Sequence, residues 1–191
     1  MDGACIVKEI TGREVPVVLD PTLLLTKSEW EQQIVNSNVK APYILCYFLS
    51  HNIKHRTWVK RLSKIKGYKI IVLPFVTEDF YWGDGIEFKV GPQEFLGLIE
   101  GAEIVCTDSY HGVLFSLIFN KEFYSFLRFK DNDKLNQNSR IFNLLENLNI
   151  KSRIVDTNAD DIYEDIDWLE INNKIEQRKA ASIDFLVHAL R

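Results

Sequence analysis

The stretch EIVCTDSYHGVLFSLIF, Glu103–Phe119, joins an apolar strand to an apolar helix through a polar turn. EIVCT is a nearly continuous apolar run, as in a strand covered on both faces. VLFSLIF is apolar almost all round, as in a buried helix. Between them, Asp108 to Gly112 fall where an open α/β sheet collects ligands, beyond the carboxyl end of a strand and at the start of a helix. The first N–H groups of a helix have no partner within it and lie at the positive end of its dipole. A phosphate or carboxylate suits such a turn.

Working outward, the same kind of run recurs. Val15 to Leu19, Tyr43 to Leu49, Tyr68 to Leu73, Phe123 to Phe126 and Arg153 to Val155 read as further short strands. Helical spacing lies between them: Ile53 to Ile65 with apolar residues at Ile53, Trp58, Leu62 and Ile65, then Pro92 to Glu100, Val113 to Phe119 and Ile141 to Asn147. A helix at nearly every crossover predicts a Rossmann-like, doubly wound α/β fold, a mainly parallel sheet with helices on both faces. Gly67 suits a helix C-terminus and Pro92 a first turn. Thr77 to Gly91 reads as a long loop on the ligand side of the sheet.

The expected organisation has three parts. Residues 1–14 read as a helix fragment or linker, the end of an N-terminal domain that the chain lacks. Residues 15–159 form the Rossmann-like domain. Residues 160–191 form a helical extension with an apolar stripe at Ile171, Ile175, Ile183, Leu186 and Leu190, which docks on this domain or on a partner.

Composition narrows the function classes. A net charge of −4 gives no basic field for nucleic acid or an anionic membrane. The longest apolar runs are too short for a transmembrane segment and no leader pattern opens the chain, so the expected location is cytoplasmic. Three cysteines, Cys5, Cys46 and Cys106, show no metal-ligand spacing, and the last two read as buried thiols within strands. No metal is expected.

At the opening turn, Ser109 is either the helix cap, as Asp108 is too, or a hydrogen-bond donor to a ligand. His111 is placed to donate to an anion or to transfer a proton near neutral pH, and Gly112 to let an anion approach the backbone. A Ser109/His111 nucleophilic pair is disfavoured, because the glycine that precedes the serine in a nucleophile elbow is absent. In RFKDNDKLNQNSRIFNLL, Arg128–Leu145, Asn138 or Ser139 is the expected cap of a helix that begins near Arg140. An arginine in a first turn opposes the dipole unless an anion is near, and its fork grips phosphate or carboxylate. Lys130 and Lys134 read as a solvated loop. Ser50, His51 and Asn52 end the YILCYFL strand and form a weaker ligand-site candidate. His55 and His188 receive no role, and Asp20 with Pro21 reads as a turn that ends a strand.

VVLDPTLLL with Trp30, PYILCYFL, GPQEFLGLIEGAEIVCTDSYHGVLFSLIF and NSRIFNLL, in this order, resemble the polysaccharide pyruvyl transferase family. The resemblance implies a glycosyltransferase-B-type enzyme with two Rossmann-like halves. Such an enzyme transfers the pyruvyl unit of phosphoenolpyruvate to a sugar of a bacterial exopolysaccharide or similar glycan. This chain resembles the C-terminal, donor-binding half. Carried over, the resemblance makes Ser109, His111 and Gly112 the donor site, Arg140 a second grip and His111 a general acid. It implies phosphoenolpyruvate, a saccharide acceptor and an N-terminal domain as partners, with no further cofactor. Two alternatives stay open: a glycosyltransferase-B half that binds a nucleotide-sugar at the same helix, and a non-catalytic remnant or interaction module.

Overall fold

The computed structural model describes residues 3–40, 42–129, 133, 136–158 and 165–190. Five parallel strands, β1 Tyr43–Tyr47, β2 Lys69–Val72, β3 Gly85–Ile86, β4 Ile104–Thr107 and β5 Glu122–Ser125, lie in the order β3-β2-β1-β4-β5. Around them run α1 Gly3–Thr11, α2 Lys27–Glu31, α3 Ile53–Lys66, α4 Pro92–Gly101, α5 Tyr110–Ile118, α6 Asn138–Asn147 and α7 Trp168–Ala189. Side chains alternate across each strand. Tyr43, Leu45, Val105 and Phe123 face a core shared with α4, α5, α6 and α7. Ile44, Cys46, Ile104, Cys106 and Tyr124 face α3 through Trp58, Val59 and Leu62. Helices therefore cover both faces, as the continuous apolar strands require.

The chain leaves β1 toward β2 and later returns to place β4 on the other side of β1. The direction of winding thus reverses between β1 and β4, and their carboxyl ends splay into the crevice where such sheets bind ligands. Register sets the floor of that crevice, since Tyr47 pairs with Thr107 and Thr107 with Ser125. Local signals fix the flanking helices. The Asn52 side chain caps α3 by accepting from Lys54 N at 3.0 Å. Gly67 ends α3 in the left-handed region at φ 72°, and Pro92 opens α4.

Several expectations are corrected. Val15 to Leu19 is not a strand: Val15 and Val17 are exposed, and the N–H of Leu19 donates to Ser182 Oγ of α7 at 3.0 Å rather than to a neighbouring strand. Asp20 therefore ends no strand, although it does shape a turn by accepting from Thr22 N at 3.0 Å. Arg153 to Val155 contributes only a bridge from Ile154 to Ser125 after a 3₁₀ turn at Lys151–Arg153. The Thr77 to Gly91 loop contains a 3₁₀ turn, Thr77–Tyr81, and the edge strand β3. In α7 the stripe divides, with Ile171 and Ile175 buried and Ile183, Leu186 and Leu190 exposed.

The largest correction lies on α3. Ile53 and Ile65 are exposed, and the buried face is His55, Arg56, Trp58, Val59 and Leu62. Arg56 is tolerated inside because Asp79, fully buried, accepts from its Nε at 3.2 Å and its Nη2 at 2.6 Å. The same carboxylate accepts from Phe75 N at 2.9 Å, Val76 N at 3.1 Å and Trp82 Nε1 at 3.3 Å. Arg56 Nη1 donates to Ser50 O at 3.1 Å and Asn52 O at 3.2 Å. One ion pair thus holds the loops that follow β1 and β2 at the carboxyl rim. Removing one partner of a buried pair strands the other charge, so Asp79→Asn is expected to cost about 3–5 kcal/mol in urea-induced unfolding. A loss below about 1 kcal/mol would show that Arg56 finds solvent instead.

Candidate active site

Leu49, Asp108, Ser109, Tyr110, His111, Arg128, Phe129, Gln137, Asn138, Arg140 and Ile141 line a cleft of about 120 Å³ beyond the carboxyl ends of β4 and β5. Four separate segments meet there. Of the residues expected from sequence, the fold brings Ser109, His111, Asn138 and Arg140 together.

Ser109 is the cap of α5, its hydroxyl accepting from Gly112 N at 3.4 Å, while its own N–H donates to Thr107 Oγ1 at 3.0 Å. The helix begins at Tyr110, three residues before the apolar run from Val113. The N–H groups of Tyr110 and His111 make no hydrogen bond among the described residues. They are open donors at the mouth of the cleft, beside the exposed His111 ring. Gly112 is buried, and a Cβ there would stand 2.6 Å from Thr107 Oγ1. The close packing of α5 on β4 thus demands the glycine independently of any ligand.

Arg140 lies in the first turn of α6, which starts at Asn138 with Gln137 as its cap residue, not Asn138 or Ser139. Its guanidinium carbon sits 4.0 Å from the centre of the Tyr110 ring, and Nη2 is 3.8 Å from Asp20 Oδ2. That ion pair is long and half-exposed, leaving donors for a ligand. Asn138 is used otherwise: it donates to Phe129 O at 2.7 Å and accepts from Phe129 N at 3.2 Å. This clamp draws the end of β5's outgoing loop against α6. Lys130 and Lys134 lie outside the described residues.

Beneath the turn, Asp108 is buried and its Oδ1 accepts from Leu49 N at 2.6 Å, tying the loop after β1 to the loop after β4. Burial raises its pKa, offset in part by the Leu49 N–H, the neighbouring Ser50 hydroxyl and Arg128. Ser50 Oγ lies beside the carboxylate without reaching a well-formed hydrogen bond. His51 turns away from the cleft to Glu78, Nδ1 to Oε2 2.8 Å.

His55, assigned nothing from sequence, is buried below this point. Asn52 spends its oxygen on capping α3 and its amide nitrogen stands 2.9 Å from His55 Nε2. Nε2 must therefore accept, which leaves the proton on Nδ1, 4.0 Å from the free oxygen Asp108 Oδ2. Burial first, and then the Arg56 charge, push its pKa down to about 4. Only a helix face was visible in the sequence. The signal available was Asn52, a cap three residues ahead whose second amide atom reaches the ring.

A larger cavity, about 420 Å³, lies between the end of α6 and the start of α7, away from the strand ends. Its Arg153 is already paired with Glu122. Cys46 and Cys106 are fully buried in adjacent strands, and burial pushes the Cys46 thiol well up, the opposite of a nucleophile. Among the described residues no helix is long and apolar enough to cross a membrane.

The fold and cleft together define a Rossmann-like α/β domain with an arginine-lined, donor-rich cleft at its topological switch point. The family model for polysaccharide pyruvyl transferase matches residues 4–128, more than half of the chain. The chain belongs to the polysaccharide pyruvyl transferase family. The match contains all five strands and the Ser109–His111 turn, and it ends at Arg128, before Asn138 and Arg140. No curated protein and no solved structure matches the chain.

A histidine whose folded pKa lies below its unfolded value of about 6.5 takes up its proton first in the unfolded state. Stability is therefore unaffected by His55 above about pH 6.5 and falls between there and about pH 4, by about 3 kcal/mol in total. Urea unfolding of wild type and His55→Gln across pH 4–7 is expected to show this slope in the wild type and its loss in the variant. Parallel slopes would place the acid sensitivity elsewhere.

Proposed function

We propose that the cleft holds phosphoenolpyruvate as the donor for pyruvyl transfer to a sugar of a surface polysaccharide. The observation that carries this reading is the meeting, in a member of the pyruvyl transferase family, of Arg140 with two helix N–H groups that make no hydrogen bond among the described residues. The phosphate takes the N–H groups of Tyr110 and His111 and a face of the Arg140 fork. Gly112 keeps α5 close enough to β4 for those groups to open on the cleft. Ser109 fixes the turn, and Asp108 holds the neighbouring loop through Leu49 N, with Ser50 beside it. The domain acts as the donor-binding half of a bacterial, cytoplasmic enzyme, with the saccharide held largely by a partner domain.

His111 is the proton donor in this reading. Its proton goes to the methylene carbon of the enol, making it a methyl group and leaving the adjacent carbon electrophilic. A sugar hydroxyl attacks that carbon, the carbon–oxygen bond to phosphate breaks, and a second hydroxyl closes the ketal. Of the two hydroxyl protons, one restores His111 and the other leaves with the phosphate. Fixed donors around the departing phosphate lower the barrier because they need no reorganisation as charge develops.

Ligand linkage tests the donor directly. At about 100 times its Kd, a ligand adds about 2.7 kcal/mol, roughly 5–10 °C in Tm for a chain of this size. Phosphoenolpyruvate is expected to give such a rise, and a nucleoside diphosphate none. Arg140→Ala should remove most of the rise, while His111→Ala should abolish transfer in a protein competent for it. The opposite ligand preference would assign the cleft to a nucleotide-sugar.

A further inference from the structure

We propose that Arg128 is a second cationic grip of the same cleft and takes the carboxylate of the ligand whose phosphate sits at the Ser109–His111 turn; this rests on the donor reading above. Arg128 leaves the carboxyl end of β5 three residues after Ser125 and lines the cleft with Ser109, His111 and Arg140. It differs from the chain's structural arginines. Arg56 and Arg153 are buried and paired with Asp79 and Glu122. Arg128 makes no hydrogen bond and no ion pair within 4.0 Å among the described residues.

Its position is nevertheless fixed. The guanidinium carbon stands 4.3 Å from the centre of the Phe129 ring, and Phe129 is held at both its N–H and its carbonyl by the buried Asn138 side chain. Contact with a ring face leaves the N–H edge of the fork free, and that edge matches the two oxygens of a carboxylate. Among the described residues an acid on its side of the cleft is Asp108, buried under the turn, with Oδ1 engaged by Leu49 N and Oδ2 without a hydrogen bond. A negative carboxylate there opposes any anion in the cleft, and Arg128 is the cation on its side that offsets it. Arg140, by contrast, lies over Tyr110 near Asp20. Two arginines from two elements, one by Asp108 and one by Tyr110, suit a small skeleton carrying two anionic groups better than a single phosphate.

Calorimetric titration of this chain with phosphoenolpyruvate and with inorganic phosphate separates the roles. Arg128→Gln is expected to weaken phosphoenolpyruvate at least about tenfold and to leave phosphate within about twofold of wild type. Arg128→Lys should restore only part of the loss, because an ammonium lacks the planar fork. Arg140→Gln should weaken both ligands. Wild-type affinity of Arg128→Gln for phosphoenolpyruvate, or equal losses for both ligands, would overturn the assignment while leaving the donor reading intact. A wild-type chain indifferent to phosphoenolpyruvate would overturn the donor reading and this one with it.

Discussion

Strand β1 lies between β2 and β4 with Ile44, Leu45 and Cys46 fully buried, so neither face of the sheet centre offers water to a polar group. Strand hydrogen bonds satisfy the backbone only as far as the strands run. Where they end, at Tyr47, Thr107 and Ser125, the N–H and C=O groups need new partners, some from backbone, as Phe126 N on Thr107 O and Val155 N on Ser125 O, and others from side chains. This constraint shapes the whole carboxyl rim. Thr107 Oγ1 donates to Tyr47 O at 2.6 Å and accepts from Ser109 N, Asp108 takes Leu49 N, and Arg56 takes Ser50 O and Asn52 O. The polar turn between two apolar segments is the consequence of ending a parallel strand inside a core.

Two buried carboxylates meet this demand in different ways. Asp79 accepts five hydrogen bonds, one oxygen serving Arg56 and Trp82 and the other two backbone N–H groups, so its charge is fully compensated. Such a group is a structural clamp with nothing left to offer a ligand. Asp108 keeps Oδ2 without a hydrogen bond, 4.0 Å from His55 Nδ1, and burial raises its pKa. An incompletely satisfied carboxylate below an exposed histidine and between two arginine-bearing loops is costly for stability alone. Ser50 Oγ, His55 Nδ1 and Ser125 Oγ also lack a hydrogen bond among the described residues, so the rim around Asp108 is less completely satisfied than the loop around Asp79.

The strands β1, β2 and β4 were legible because fully buried parallel strands write continuous apolar runs, and the α5 turn was legible because composition changes abruptly on both sides of it. What failed was any inference needing a distant partner. Periodicity put Ile53 and Ile65 inside and passed over His55 and Arg56, since a polar residue is read as outside unless its compensating charge is known. That charge, Asp79, is 23 residues further on in a segment without helical period. Val15 to Leu19 has the composition of a strand, yet the N–H of Leu19 goes to the Ser182 hydroxyl of α7, so propensity was overridden by where α7 lies. The cap at Ser109 was readable within three residues, whereas the hold of Asp108 on Leu49 spans 59 and was not. Gly112 was read for the approach of an anion, and the structure supplies a local steric cause in Thr107.

The cleft draws on segments near residues 49, 109, 128 and 140, and each join between them is fixed before any ligand arrives. Asp108 joins the first two, the Asn138 clamp on Phe129 joins the last two, and the stack of Arg140 on Tyr110 ties the two pairs together. A site assembled from mobile loops would spend binding energy on ordering them; here the ordering is part of folding. Binding strength at such a site follows the placement of donors more than the size of the pocket, and the cleft is small, about 120 Å³. The larger cavity beside α7 shows the converse, for its arginine is consumed by Glu122. Free donors held in place, rather than volume, are what distinguish the carboxyl rim of β4 and β5 from that cavity.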